Sequence, residues 1–108
     1  MKKIAITYDN GNVFQHFGRT EAFKIYEIED GQIMGSTILE SNGIGHGALA
    51  ALLEEQTIDT LICGGIGGGA RNALAEAGSV VYPGASGDAD AQVASFLQGN
   101  LVFDPNTT

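Results

Sequence analysis

The chain of 108 residues is 44% hydrophobic and carries 5 basic against 13 acidic residues, for a formal net charge of -8. That composition suffices for one compact core, and the length argues against two domains. The charge argues against nucleic acid and anionic membranes as partners, and no apolar run approaches the ~20 residues that span a bilayer. A single cysteine cannot close an internal disulfide. The opening Met1-Lys2-Lys3-Ile4-Ala5-Ile6-Thr7-Tyr8-Asp9 breaks its apolar run too early for a secretory signal, so a cytoplasmic location is expected.

Residues 3–8 read as a first strand, stopped by the turn chemistry of Asp9-Asn10-Gly11-Asn12. Residues 13–20 then form a loop with two aromatics, His16 and Arg19, richer than a connection needs. Residues 22–28 and 32–39 are β-rich runs joined through Glu29-Asp30-Gly31, which predicts an antiparallel hairpin. A glycine-rich loop over 40–47 leads into a helix with Leu49, Leu52 and Leu53 on one face. A fourth strand over 59–63 runs into Gly64-Gly65-Ile66-Gly67-Gly68-Gly69. The helix that follows has Ala70, Ala73, Leu74 and Ala77 on one side and Gly78 at its stop. Residues 79–82 are a fifth strand and 83–87 another loop. Asp88 caps a last helix that buries Val93, Phe96 and Leu97. Residues 1–103 are expected to form one domain and 104–108 a frayed tail.

With the first strand pointing up, the hairpin sends the second down and the third up, and right-handed crossovers return the fourth and fifth upward. The loops at 9–20, 41–47, 64–69 and 83–87 then share one sheet edge, where open α/β sheets bind ligands. His16, Arg19, His46, Cys63 and Arg71 fall near that rim, with Asp9 as the one acid inside it. Gly64, Gly65 and Gly67 would form its floor, because a turn without Cβ atoms lets a ligand approach and the opening amides of a helix favour an anion. The same glycines could serve only a tight turn. Residues 65–70 match the dinucleotide pattern G-x-G-x-x-G/A loosely, but no acid ends the next strand. Arg71 and Asn72 stand where a phosphate loop needs Lys and a hydroxyl.

Two histidines and one cysteine are too few for a closed zinc site. Imidazole and thiolate suit iron, however, so His16, His46 and Cys63 are candidate ligands to a cluster that arrives preassembled. Each has a structural competitor. His16 could brace its loop, His46 its turn, and Cys63 could be a small core residue, while Arg19 and Arg71 could be solvated rather than in contact with an anion. No nucleophile, base and orienting acid occur at a telling spacing.

The ordered blocks Gln15-His16-Phe17-Gly18-Arg19, Phe23-Lys24-Ile25-Tyr26, Gly45-His46-Gly47, Gly64-Gly65-Ile66-Gly67 and Gly99-Asn100-Leu101 resemble the nitrogenase iron-molybdenum cofactor biosynthesis domain family. The chain is similar to its short stand-alone members, without a cysteine-rich radical enzyme domain. The resemblance implies a ribonuclease H-like three-layer α/β/α fold, here around a mixed five-stranded sheet. It also implies a non-catalytic carrier of an iron-sulfur or iron-molybdenum type cluster, passing it between donor and acceptor proteins, with His16 as a cluster contact. Two other functions compete. One is a Mg-dependent enzyme or binder of a phosphorylated small molecule, its glycine loop on the phosphate and Asp9 on the metal. The other is an interaction module with no cofactor.

Overall fold

The structure, a computed structural model, describes residues 2–41 and 46–107, with only the backbone of His46 and Gly47. The strands are β1 (Lys2–Asp9), β2 (Asn12–Val13), β3 (Ala22–Glu29), β4 (Gln32–Glu40), β5 (Thr60–Ile62) and β6 (Val80–Tyr82). The helices are α1 (His46–Glu55), α2 (Gly68–Glu76) and α3 (Ala89–Leu97), and Phe17–Arg19 form a single 3-10 turn. In the sheet the order is β4-β3-β1-β5-β6. β3 runs antiparallel to both β1 and β4, while β1, β5 and β6 are mutually parallel. The mixed sheet and its strand directions are those expected from the sequence.

Five strands were expected and six are present. The extra strand, β2, is a two-residue return on β1 made by Asn10 and Gly11 at φ 47 and 87. Asp30 and Gly31 repeat that turn at φ 53 and 74 between β3 and β4. Asn-Gly and Asp-Gly favour it for one reason: both central residues need positive φ, matching the twist of the flanking strands. Asn10-Gly11 thus does more than stop β1, for it carries the same hairpin chemistry.

Alternation along the strands separates two cores. Ala5, Phe23, Ile25, Leu61 and Cys63 face α1 and α2, where they meet Leu49, Leu53 and Leu74. Ile4, Ile6, Tyr26, Ile28 and Ile62 face α3 through Ala89 and Val93, with Phe96 and Leu97 half-buried at the margin. Helices therefore cover both sides of the sheet in three layers. Asp88 caps α3 as expected, its Oδ2 accepting the Ala91 amide at 2.9 Å. Asp90 in the first turn then ties the helix to the sheet, its Oδ1 accepting from Lys24 Nζ at 2.7 Å and from the Tyr26 hydroxyl at 2.6 Å.

Residues 104–107, expected to fray, lie beside the loop after β6. The Asp104 amide donates to the Pro83 carbonyl at 2.8 Å, and Phe103 lies edge-on to Tyr82 with centroids 4.9 Å apart. Arg71 Nη1 donates to the carbonyls of Pro105 at 2.8 Å and Thr107 at 3.3 Å. A guanidinium with several donors can gather carbonyls from a segment that has no secondary structure of its own.

Candidate functional site

Three loops at the carboxyl ends of β1, β5 and β6 are joined by backbone hydrogen bonds. After β2 the chain turns back over β1: the Phe14 amide donates to Thr7 O at 2.9 Å, and Thr7 Oγ1 donates to Phe14 O at 2.8 Å. It then lies along the glycine turn. Gly65 N donates to Gln15 O at 2.8 Å and Phe17 N to Gly65 O at 2.9 Å. The third loop closes on the second through Gly84 N to Gly64 O at 2.9 Å and Ala85 N to Cys63 O at 3.0 Å. Gln15 spans the first and third, its Nε2 donating to Val13 O at 3.1 Å and Ala85 O at 3.0 Å. Gly64 is required by this closeness, because a Cβ there would stand 2.6 Å from the Cα of Gln15.

The fourth loop, 42–45, lies outside the described residues, as does the side chain of His46. Its approach is fixed on the same side. Ser41 N donates to Glu21 O at 2.9 Å and Ser41 Oγ to Thr20 O at 2.9 Å, beside the 3-10 turn.

Between the first two loops lies an open cleft of about 320 Å³, lined by His16, Phe17, Gly18, Arg19 and residues 65–67. An apolar trough of about 350 Å³ adjoins it, bounded by Phe17, Ala50, Gly67, Gly69, Ala70 and Ala73. His16 and Arg19 are exposed, and neither side chain is hydrogen-bonded among the described residues. The His16 ring lies edge-on to Phe14, with ring centroids 6.0 Å apart. Among the described residues the loop is held by backbone bonds and by Gln15, with no hydrogen bond from the imidazole.

The amides available to an anion are not those expected. Gly64 N already donates to Phe14 O at 3.4 Å and Gly65 N to Gln15 O, so these two glycines join loops rather than present donors. The first helical bond of α2 is Arg71 N to Gly67 O at 3.1 Å, with Gly67 as an N-cap that has no side-chain bond. The amides of Gly68, Gly69 and Ala70 thus have no intrahelical acceptor and form the positive end of the helix. The glycine run in the sequence announces this helix start. Which glycine opens the helix depends on where β5 ends.

Three other expected residues do not line the cleft. Cys63 is fully buried between Phe17, Leu61 and Leu74, and desolvation pushes its thiol up to about 12, against a smaller opposite pull from Arg71. Its burial is that of a small core residue, the structural alternative to iron ligation. Arg71 lies in α2 and not in a loop, with its guanidinium engaged by the tail carbonyls. Asp9 is exposed on the β1–β2 turn and does not line the cleft. Among the described residues no three His, Cys, Asp or Glu side chains gather as a metal site. A larger cavity of about 580 Å³ opens near the other end of β1, between Lys2, Glu29, Asp30, Phe96 and Leu97. The smaller cleft carries His16 and Arg19, whose side chains have no hydrogen-bond partner among the described residues, whereas the larger cavity carries Lys2 together with Glu29 and Asp30.

An uncharacterized protein of Methanocaldococcus jannaschii is 35% identical over 107 residues, covering 94% of this chain and 90% of its own. Among solved structures, that of PH0822 matches with a TM-score of 0.90 at 25% identity, over 96% of each chain. The apo form of the orange protein from Desulfovibrio gigas matches with a TM-score of 0.83 at 27% identity, over 97% of this chain and 94% of that one. The family model described as dinitrogenase iron-molybdenum cofactor matches residues 1–99. That match takes in all six strands, all three helices and every residue of the cleft, so the chain belongs to the dinitrogenase iron-molybdenum cofactor family.

Proposed function

We propose that this protein is a non-catalytic cytoplasmic carrier that docks an anionic iron-sulfur or iron-molybdenum type cluster in the cleft and passes it between donor and acceptor proteins. The observation that carries this reading is the exposed His16 imidazole, without a hydrogen bond among the described residues, in a cleft shared with Arg19 and next to the opening amides of α2, which have no intrahelical acceptor. A preassembled cluster brings its own sulfides and needs few protein donors. His16 would supply one soft nitrogen ligand, and Arg19 with the amides of Gly68 and Gly69 would offset negative charge. The apolar wall of Phe17, Ala50 and Ala73 would exclude water from one side of the cargo. His46 enters the same proposal as a second donor, from the segment next to the 3-10 turn. The family match supports a role connected with this class of cofactor, and a ribonuclease H-like classification of the fold belongs to the same reading.

The test is anaerobic titration with iron-sulfur and iron-molybdenum clusters, followed by visible absorption and metal analysis of the gel-filtered protein. His16→Ala should weaken retention by about tenfold or more, the loss expected on removing a metal-linked donor. Arg19→Ala should weaken it less, and mainly at low salt. Unchanged uptake in His16→Ala would overturn the assignment of that ligand. Binding of nucleotides, stronger with Mg²⁺ and without any cluster uptake, would favour the phosphate reading instead.

A further inference from the structure

An open sheet has two edges, each a row of backbone donors and acceptors that a stray strand can join. This sheet treats its edges differently. β6 is three residues long, and the tail lies beside its end, with Phe103 on Tyr82 and the Asp104 amide on Pro83. β4 is nine residues long, and among the described residues nothing pairs with its outer side. All of residues 32–38 are exposed, with Ile33, Met34 and Ile38 at 42%, 59% and 46%. The devices that normally blunt an edge are sparse, for there is no charge and no proline from Gln32 to Leu39. Only a bulge interrupts the strand. Glu27 pairs with Gly35 and Ile28 with Ile33, so Met34 is the extra residue and 35–40 remain a regular ladder.

Acids frame this uncharged strand at both ends. Glu29 ends β3 and Asp30 stands in the turn before β4, Glu40 closes it, and Glu21 stands beside that end through the Ser41 bond. The one cation on the adjacent strand, Lys24, is paired with Asp90.

We infer that the outer edge of β4 is a docking strand for an extended segment of another protein, uncharged and apolar through its middle and carrying Lys or Arg at both ends. The β4 backbone supplies the ladder, Ile33 and Ile38 supply apolar contact on one face, and the framing acids select the cationic ends. A second copy of this chain fits less well. Whether two β4 strands run parallel or antiparallel, each framed end meets another acidic end, and like charges set opposite each other destabilise a ladder. The inference does not depend on the nature of the cargo in the cleft.

Three synthetic peptides test it by NMR titration of the intact protein: a Val-Thr-Val-Thr-Val core flanked by lysines, the same core flanked by glutamates, and the lysine peptide with a central proline. The lysine peptide is expected to shift and protect the amides of residues 35–40, with affinity falling as salt rises. The glutamate and proline peptides should bind at least about tenfold more weakly. Ile38→Lys, or Met34→Lys if the first alters the native spectrum, should weaken the lysine peptide by a similar factor. Equal affinity for the lysine and glutamate peptides, failure of the lysine peptide to bind, protection at another element, or a β4–β4 dimer of the protein alone would overturn the proposal.

Discussion

Substituting Gly64 by alanine drives a methyl group into the backbone of Gln15, and backbone cannot step aside as a flexible side chain can. The expected cost is about 1–3 kcal/mol, as for other overpacked interiors, measured by urea denaturation. His16 should feel the same change, because its loop is aligned by the bonds between residues 15 and 17 and Gly65. Cys63, one residue earlier, has the opposite character. With its thiol at about 12 and no exposure, it should resist alkylation in the native protein even at about pH 8 and react once the chain is unfolded. Rapid labelling of the native protein, followed by mass spectrometry, would contradict the core assignment. Both residues are legible as special in the sequence, which also offers the core reading of Cys63 but not the close approach at Gly64. Gly64 is small to admit a loop 49 positions earlier in the chain, and Cys63 faces inward because of the parity of β5.

At the scale of elements, the fastening of α3 to the sheet has a pH signature. The bond from Lys24, then that from Tyr26, holds the Asp90 carboxyl below the usual carboxylate range. A depressed carboxylate contributes stability that is present above its unfolded value of about 4 and is lost as pH falls through the folded value. Burial, then the bond to Asp90, raises the Tyr26 hydroxyl far above its ordinary range. That contribution is complete below the unfolded value of about 10 and declines as pH rises beyond it. Asp90→Asn should therefore flatten the acid limb of a stability–pH profile and soften the alkaline limb. A wild-type profile flat between pH ~2 and ~5 would remove the basis for the acid limb. Asp88→Ala, in the cap of the same helix, should cost about 1 kcal/mol at neutral pH.

For the whole molecule, the two-sided core and the bare β4 edge predict a sharp contrast between substitutions. Leu53→Ala removes a fully buried side chain and should cost about 2–5 kcal/mol. Ile33→Ser on the open edge should stay within about 0.5 kcal/mol of wild type in the same denaturation series. Comparable losses at the two positions would mean that the edge is covered in solution.

The strand directions, the three helices, the Asp88 cap and the hairpin at Asp30-Gly31 could all be read from the sequence, because each depends on residues within one or two turns of one another. The meeting of three of the four expected loops at one sheet edge was also legible, since crossover handedness leaves few alternatives; the fourth lies outside the described residues. What only the tertiary structure decided was which groups remain unspent there. Arg71 turned to the tail, the amides of Gly64 and Gly65 went to neighbouring loops, and Cys63 entered the core. Among the described residues His16, Arg19 and the start of α2 kept their donors. A side chain or amide is available to a ligand only after every partner across the fold has taken its share, and those partners lie tens of residues away, where local pattern carries no information.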